Sequence, residues 1–460
     1  MMAAANAAPF PTPTSPSLVF SGADAALLAA RQFLARLSTP TNLLLAVSGG
    51  SDSTALLAAF CKANAAEARH RLAVCTVDHA LRQGSAEEAE TVAALCRRWS
   101  IPHETVRWAH DGVGSALQAQ ARMARYQLLA GCAARHGASL ILTGHTADDQ
   151  AETIAMRSAR AGGAEESLGL SGMAETVLFD RRIWIARPFL TLSRLDLRAF
   201  LSTQDLGWID DPSNDNPAYE RVRIRQAGIA LDGHLQRAEA AGRRRRASSQ
   251  RIAAMLPEQL RLHSPALAEL TLKDAGLDDP DMQRLLGLLA AILGGRPHGP
   301  GRESLAALIQ ALRGERSRFA ASRCLFDRRG SRLFLHRERR ALPDEMTLQP
   351  GAAVDWDNRF RLVNDSADPI TIRSGAPPGT LDTGPDALVP PSVHRAAHAT
   401  LPCPVHDPAS GTMLPSLRMT PRLQPFDTFL PCFDTILALR LDALFDREPF
   451  FLCPVHDVLS

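Results

Sequence analysis

The sequence lacks several features that define whole classes of protein. None of its 460 residues lies in an apolar run approaching the roughly 18 residues of a membrane-spanning helix. None of the eight cysteines belongs to a Cys-x-x-Cys pair, which argues against a disulfide framework and favours a reducing cytoplasm. The first 22 residues contain no Lys or Arg and lack the basic start of a secretory signal, so we interpret them as a frayed tail.

Tyrosine is also scarce, with two residues, yet 17 Phe and five Trp supply aromatic side chains for a core. Apolar residues make up 45% of the chain and charged residues 22%, as in soluble globular proteins. A chain of 460 residues is long enough for two or three domains, each with its own core.

Charge is distributed unevenly along the chain, although the net charge is only +2. Residues 231–340 contain 21 basic and 12 acidic side chains, whereas residues 341–460 contain 8 and 15. A basic block of this size suggests a polyanionic partner such as nucleic acid. Solvated helix faces would produce the same excess, and the sequence leaves both interpretations open.

One stretch organises the chain, a buried strand followed by a small-residue loop and a helix. Residues 43–47 are apolar without alternation, which is typical of a strand buried on both faces. The loop after it reads Ser48-Gly49-Gly50-Ser51-Asp52-Ser53 and opens a helical pattern. A helix N-terminus behind a glycine pair favours an anion, most often a phosphate. No Lys follows the glycines and the spacing is not Gly-x-Gly-x-x-Gly, so neither a Walker A loop nor a dinucleotide fingerprint is present, and an ordinary strand-to-helix turn stays open as the alternative.

Strands and helices alternate from this loop onward. We predict strands at residues 43–47, 71–78, 103–108 and 139–144, each followed by a helical segment. The pattern predicts an α/β fold with a doubly wound parallel sheet, whose ligand lies at the carboxyl ends of the strands. We also expect an edge strand at 182–186 and a helix at 194–204 that Ser193 caps.

Polar clusters follow the first, second and fourth predicted strands. Asp149 and Glu152 lie three residues apart on one helix, so they share a face that suits Mg²⁺ or a substrate ammonium group. His145, at the end of the fourth strand, is placed to contact a phosphate or a leaving group. Taken singly, each cluster reads equally well as a helix cap or turn, but three at one sheet edge favour a site.

At this point the sequence resembles known families. The loop is similar to the pyrophosphate-binding loop of N-type ATP pyrophosphatases, the PP-loop family. The ordered series over residues 43–225 resembles the tRNA(Ile)-lysidine synthetases. The motifs that carry this resemblance are Ser48–Ser53, Asp78-His79-Ala80-Leu81-Arg82, Arg122-x-x-Arg125-Tyr126, Gly144-His145-x-x-Asp148-Asp149-Gln150-x-Glu152-Thr153, Arg157, Gly169–Met173, Arg187–Leu190, Asp211–Asn214 and Arg221-x-Arg223-x-Arg225.

The resemblance implies a ligase that uses ATP and Mg²⁺. In that family, ATP activates C2 of the wobble cytidine of an isoleucine tRNA with a CAU anticodon, and the ε-amine of free L-lysine then displaces AMP. Carried onto this chain, the catalytic residues are Asp52, His145, Asp149, Glu152, Arg122 and Arg125. ATP binding falls to Ser48, Gly49, Gly50, Ser51, Asp52, Ser53, Asp78, His79 and Gly144. The residues expected to bind lysine are Asp149 and Glu152, and those expected to bind the metal are Asp52 and Asp149. The sequence does not say which carboxylate binds lysine and which binds the metal.

The same comparison implies tRNA contacts at Arg82, Arg187, Asn214, Arg221, Arg225 and the run Arg243, Arg244, Arg245 and Arg246, for which a solvated stripe is the alternative. It divides the chain into a tail at 1–22, a PP-loop catalytic domain at 23–230 and a basic, mainly helical tRNA-binding domain at 231–340. Residues 341–460, with 17 Pro, have no clear fold beyond a strand at 360–363 and a helix at 437–445.

Two other interpretations remain at this level. A tRNA thiolase or another PP-loop ATP pyrophosphatase would share the loop, but sulfur transfer usually needs paired thiols or a cluster. The pentapeptide Cys-Pro-Val-His-Asp occurs at 403–407 and 453–457, and two Cys-x-x-His pairs suit zinc. Supporting ligands are missing, so we favour a short repeat without a function.

Overall fold

A computed structural model describes residues 22–79, 84–109, 117–160, 168–210, 220–228, 231–272, 276–314, 316–375, 389–405 and 416–456. The chain forms two compact units. The first comprises residues 1–246, 431–433 and 451–460, and the second comprises residues 247–430 and 434–450. Within the described ranges, no helix is both long and apolar enough to cross a membrane.

The first unit alternates strands and helices as the sequence predicts. Its elements are α1 Ala25–Ala35, β1 Asn42–Ala46, α2 Ser51–Ala65, β2 Arg71–Asp78, α3 Ser85–Arg98, β3 His103–Arg107, α4 Leu117–Arg135, β4 Leu140–Thr143, α5 Ala147–Arg160, β5 Thr176–Phe179, β6 Ile183–Ala186, α6 Arg194–Thr203 and α7 Glu220–Gln226. Helix α8, Leu231–Gln259, begins in the first unit and ends in the second.

Strands β1 to β6 belong to a seven-stranded sheet of order β18-β5-β6-β4-β1-β2-β3, in which β18 is Phe429–Pro431. Strand β1 lies between β2 and β4 and is parallel to both, while β3 and β6 extend the parallel arrangement outward. Helices cover the sheet, and the apolar strands at its centre are buried, with Leu44, Leu45 and Ile141 fully inaccessible. The expected doubly wound parallel α/β fold is confirmed, and it brings the carboxyl ends of β1, β2 and β4 to one edge.

One sequence prediction about this sheet is wrong. Strand β6 was expected at an edge, but it pairs in parallel with β4 and antiparallel with β5. The turn between β5 and β6 holds Asp180 and Arg181 at φ of 48° and 55°. Positive φ at two successive residues matches the twist of a tight hairpin, and that hairpin adds β5 outside β6.

The second unit is built mainly of antiparallel sheet. Its elements are β7 Leu260–Ser264, β8 Leu267–Thr271, α9 Pro280–Gly294, α10 Arg302–Leu312, β9 Arg316–Ala321, β10 Cys324–Arg329, β11 Arg332–Arg337, β12 Met346–Leu348, β13 Ala353–Trp356, β14 Phe360–Asn364, β15 Ile370–Ser374, α11 Pro391–His398, β16 Pro402–Pro404, β17 Leu417–Pro421, α12 Gln424–Asp427, β18 Phe429–Pro431, which crosses into the first unit, and α13 Thr435–Leu444. Strands β7 to β11 form a five-stranded sheet in the order β7-β8-β11-β10-β9.

This sheet corrects the expectation of a mainly helical segment at 231–340. The segment contains helices α8, α9 and α10, but five strands share it with them. Strand β9 carries Arg316 and Arg318 on its more exposed positions, and its burial alternates weakly along the strand. The arginines at alternate positions of β9 therefore lie on the more exposed face of the strand. The alternation is too short for the sequence alone to distinguish it from the solvated face of a helix.

Residues 341–456, for which the sequence predicts only one strand and one helix, also form sheets. The predicted elements are present as β14 and α13, and β14 lies in a three-stranded sheet of order β13-β14-β17. Beneath it, Asp357 is surrounded by guanidinium groups, with Arg337 Nε and Arg359 Nε 2.9 and 2.8 Å from its carboxylate. These charged groups are buried, and their pairing offsets the free-energy cost of removing them from water.

Candidate active site

The loop after β1 folds into a compact phosphate-sized cradle. Ser53 Oγ accepts a hydrogen bond from Ser48 N at 3.1 Å and donates one to Gly50 O at 3.0 Å, which closes the loop on itself. Gly50 is the N-cap of α2, so no side chain covers the first N–H groups of the helix. These N–H groups have no acceptor within the helix, and the helix dipole adds positive potential at the same place.

Two glycines of the site are required by close packing. Gly49 has φ of +91°, and a Cβ there would lie 2.6 Å from Ile209 Cδ1. At Gly144, which follows β4, a Cβ would lie 2.8 Å from the carbonyl oxygen of Asp52. The backbone at the end of β4 therefore contacts the backbone of the first turn of α2. This contact holds the motif that begins at Gly144 against the loop of residues 48–53.

Asp52 and Asp149 are joined by a guanidinium group that sequence reasoning did not assign to the site. Arg194 Nε lies 3.1 Å from Asp52 Oδ2, and Arg194 Nη2 lies 3.7 Å from Asp149 Oδ1. Burial raises the pKa of the Asp52 carboxyl above its usual value, against the opposing effect of Arg194. Two carboxylates from different strand ends thus share one partly buried positive charge.

Asp149 also has a structural task in its own helix. Its Oδ2 accepts hydrogen bonds from Thr146 N at 2.9 Å and Thr146 Oγ1 at 3.2 Å, the arrangement of a capping box. Its neighbour Asp148 accepts from Arg194 N at 2.8 Å and so holds the start of α6. Oδ2 of Asp149 caps the helix, whereas Oδ1 is the oxygen closer to Arg194. The two roles predicted for this motif, helix cap and site residue, therefore use different oxygens of one side chain.

Glu152 is the most deeply buried acid of the motif, at 2% exposure. Its Oε1 accepts from Arg225 Nε at 2.9 Å. Its Oε2 is buried and has no hydrogen-bond partner among the residues that the structure describes, although a buried carboxylate oxygen normally has one. This oxygen is available to a cationic or hydrogen-donating ligand.

His145 lies among arginines. Burial and the charges of Arg187, Arg125, Arg122 and Arg221 hold its pKa well below the usual value, so the ring is neutral at physiological pH. Its Nδ1 is 2.9 Å from Thr143 Oγ1. His145 was expected to contact a phosphate or a leaving group, and the positive charge around it comes from these guanidinium groups.

Of these arginines, Arg122 is exposed and stacks over the buried ring of Tyr126 at 5.2 Å. Arg187 is only 5% exposed and donates to Ala174 O at 2.6 Å. The expected tRNA contact at Arg187 stays a prediction, and the burial of this side chain does not favour it, because a large polyanion reaches exposed groups. Its role is to supply positive potential from within.

The other expected ATP and tRNA residues have mixed surroundings. Asp78 is the last residue of β2 and His79 follows it, with the His79 ring 6.0 Å from that of Trp108. Arg221 Nη2 is 3.4 Å from Thr153 Oγ1, which places it beside α5. In the run at 243–246, Arg243 pairs with Glu239 at the surface and Arg244 is exposed, whereas Arg245 packs over the ring of Phe433 at 5.7 Å. The expected tRNA residues Arg82 and Asn214, and His406 of the first Cys-x-x-His pair, lie outside the described residues.

Arg194 is the site residue that the sequence reading missed. The signal was available, because Ser193 was predicted to cap a helix directly after a strand of the sheet. A residue at the first position of such a helix lies at the carboxyl edge of the sheet, where the other polar clusters meet.

Comparison with known proteins agrees with this geometry. A family model described as a PP-loop domain matches residues 26–230. The first unit is therefore a PP-loop domain of the ATP-utilising class. A curated tRNA(Ile)-lysidine synthase of Rhizobium meliloti is 44% identical over 95% of this chain and 98% of its own. That of Mesorhizobium japonicum is 37% identical over 89% and 93%. The chain belongs to the tRNA(Ile)-lysidine synthase family.

A solved structure also shows distant similarity. It is titled a U34-tRNA thiolase NcsA from Methanococcus maripaludis with its [4Fe-4S] cluster, is 14% identical and covers 47% of this chain and 76% of its own, with a TM-score of 0.40. A similarity of this degree carries no weight for fold or function.

The contact at Gly144 makes a direct prediction. In Gly144→Ala, the new methyl group meets the Asp52 backbone and displaces the first turn of α2. Overpacking of this kind costs about 1–3 kcal/mol, so we expect ATP affinity to fall roughly tenfold in calorimetric titration. Gly207→Ala is the control, since a Cβ at that position of the same unit meets nothing within 4 Å. Equal ATP affinity for Gly144→Ala and the wild type would remove this contact from the nucleotide site.

Proposed function

We propose that this protein ligates L-lysine to C2 of the wobble cytidine in an isoleucine tRNA with a CAU anticodon. The reaction consumes ATP and releases AMP and pyrophosphate, forming lysidine. The observation that carries the proposal is the convergence of the phosphate cradle, Asp52 and Asp149 on Arg194, beside a buried Glu152 with an unpartnered oxygen. Nucleotide activation and amine binding thus have separate residues at one sheet edge.

In the first step, O2 of the cytidine attacks the α-phosphorus of ATP, and the bond to the β-phosphate oxygen breaks. The N–H groups of the first turn of α2, behind Gly49 and Gly50, hold the departing pyrophosphate. Arg122 and Arg125 lie near neutral His145 and supply positive charge toward the reacting base and phosphate. These groups are fixed before the reaction, so they stabilise the developing charge without reorganising.

The donor atoms present suit Mg²⁺. Asp52 and Asp149 each direct a carboxylate oxygen toward the cation of Arg194, and carboxylates are the protein ligands that Mg²⁺ prefers. These two residues would hold the ion, which would neutralise charge on the pyrophosphate portion of ATP. Arg194 balances the same carboxylates when no other cation is present.

In the second step, the neutral ε-amine of lysine attacks C2, the bond from C2 to O2 breaks, and AMP leaves with that oxygen. Glu152 Oε2 is placed to accept a hydrogen bond from the lysine amine and to take the proton that the amine releases. Asp149 Oδ1 is the second acceptor. Arg225, which pairs with Oε1, keeps Glu152 oriented while leaving Oε2 available.

The tRNA partner needs a wide positive surface beyond the catalytic edge. Arg243 and Arg244 are exposed on α8, and Arg221 lies beside α5 next to the active-site arginines. The segment 231–340 has 21 basic and 12 acidic side chains. We assign backbone phosphate contacts to the exposed arginines of this set, while Arg245 serves mainly in packing.

Sulfur transfer, the alternative reaction, has little support from the cysteines. Burial raises the pKa of the thiol of Cys61 to about 12 and the pKa values of the Cys96 and Cys453 thiols to about 11. Such thiols are poor nucleophiles at neutral pH. All eight cysteines are free, which suits the reducing cytoplasm in which we place the reaction.

The proposal predicts that lysine becomes attached to the tRNA only when ATP and a wobble cytidine are both present. Incubation of the protein with isoleucine tRNA (CAU), ATP, Mg²⁺ and radiolabelled lysine is expected to transfer label to the tRNA, with one AMP released per lysine incorporated. Omission of ATP, or replacement of the wobble C by U, is expected to abolish transfer. Failure to label the natural tRNA, or equal labelling of the U variant, would contradict lysidine formation.

Glu152→Gln tests the assigned amine acceptor. Loss of the charge removes a charge-assisted hydrogen bond worth about 1.5–3 kcal/mol, so we expect the KM for lysine to rise about 10- to 100-fold. The KM for ATP should stay within twofold, because Glu152 is not among the residues assigned to ATP. The control is Glu220→Gln, which removes a similar charge from the exposed partner of Arg160 in the same unit. An unchanged lysine KM in Glu152→Gln would exclude Glu152 from the lysine site.

A further inference from the structure

A second group of ligand-type side chains lies in the first unit, and none of its members has a role in the proposed reaction. Cys132 and His136 are four residues apart at the end of α4, and the His136 N–H donates to Cys132 O at 3.1 Å. One turn of helix therefore places both side chains on the same face. Glu104 joins them from β3, the outermost strand of the sheet.

The three side chains converge on one point. Glu104 Oε2 lies 3.4 Å from Cys132 Sγ and 3.3 Å from His136 Nε2, and the three atoms all lie within 4.8 Å of one another. Ligands 2.0–2.3 Å from a tetrahedral zinc ion are about 3.3–3.8 Å apart. Two of the three separations thus already have the length that a shared metal requires.

A fourth donor is adjacent. Strands β2 and β3 pair in parallel with Cys75 opposite Glu104, so both side chains lie on the same face of the sheet, and the Cys75 thiol is a neighbour of the Cys132 thiol. Cys75 is 1% exposed and Cys132 is fully buried, so water has little access from this side. Two sulfurs, one imidazole and one carboxylate make up a donor set that suits zinc rather than Mg²⁺ or Ca²⁺.

Arg135 fits the outer shell of such a site. Its Nη2 lies 2.5 Å from Glu104 Oε1, the oxygen that faces away from Cys132 and His136, while Nε is 3.3 Å from Oε2. A metal on Oε2 would leave the short bond to Oε1 intact. Metal-bound carboxylates commonly have a second-shell hydrogen bond of this kind, which fixes their orientation.

We propose that Cys132, His136 and Glu104 bind a zinc ion, with Cys75 as the fourth ligand, as a structural site that ties β3 to the end of α4. Binding displaces the thiol protons, since thiolates are the ligands. The ion bridges an edge strand to the helix that carries Arg122 and Arg125. The proposal rests on this geometry alone and is independent of the reaction assigned above.

Cobalt(II) is a direct probe of the site. The full-length protein, freed of metal by dialysis against a chelator under reducing conditions, is titrated with Co²⁺. We expect one ion per chain, the thiolate-to-cobalt charge-transfer absorption in the near ultraviolet and the intense visible bands of tetrahedral Co²⁺, all removed by one equivalent of Zn²⁺. Absence of the charge-transfer band in the wild type would overturn the proposal.

Variants locate the ion. Cys132→Ser and His136→Gln should each lower Co²⁺ affinity at least tenfold, and added Zn²⁺ should raise the thermal unfolding midpoint of the wild type but not of these variants. Cys61→Ser is the matched control, because Cys61 lies on α2 and is near Cys96 rather than this cluster. Should Cys132→Ser fail to fold, His136→Gln, with both thiols retained, decides the question. Wild-type affinity in His136→Gln would contradict the assignment.

Discussion

The sharing of one guanidinium group by two carboxylates is the interaction on which the catalytic edge depends. Asp52 comes from the first turn of α2, Asp149 from the first turn of α5, and Arg194 from the start of α6. Partly buried carboxylates this close to each other repel unless a cation balances them, and burial already raises the pKa of Asp52. Arg194 therefore connects the first turns of α2, α5 and α6. Its positive charge also opposes the effect of burial on Asp52 and favours the ionised carboxylate.

The remaining charges of the site follow a similar principle. Arg225 satisfies one oxygen of Glu152 and leaves the other unpartnered, and the arginines around His145 keep that ring neutral. The site thus has an electropositive part around His145 and an acidic part on α5. The PP-loop domain supports ATP use, and in the proposed reaction the acidic part binds the amine.

The sequence was sufficient for the sheet and for the convergence of the motifs, because buried strands and loop glycines are local signals. It was insufficient for Arg194, whose guanidinium reaches Asp52 across 142 positions of sequence. Burial of Arg187 and the inner position of β6 depend on the β5–β6 hairpin, which lies outside the motifs. Strand β9 escaped prediction because its short alternation of arginines resembles a solvated helix, and β7 and β8 are only five residues long each. Roles of single carboxylates remain predictions, because Asp149 serves both as a cap and as a site residue.

The central claim is that activation of the base precedes amine attack and takes place at the α2 cradle. A single-turnover experiment with ATP labelled at the α-phosphate, isoleucine tRNA (CAU) and no lysine tests it most directly. The account predicts that label becomes attached to the tRNA as pyrophosphate is released, and that subsequent addition of lysine discharges the label as AMP. Absence of labelled tRNA without lysine, or pyrophosphate release that requires lysine, would contradict the account.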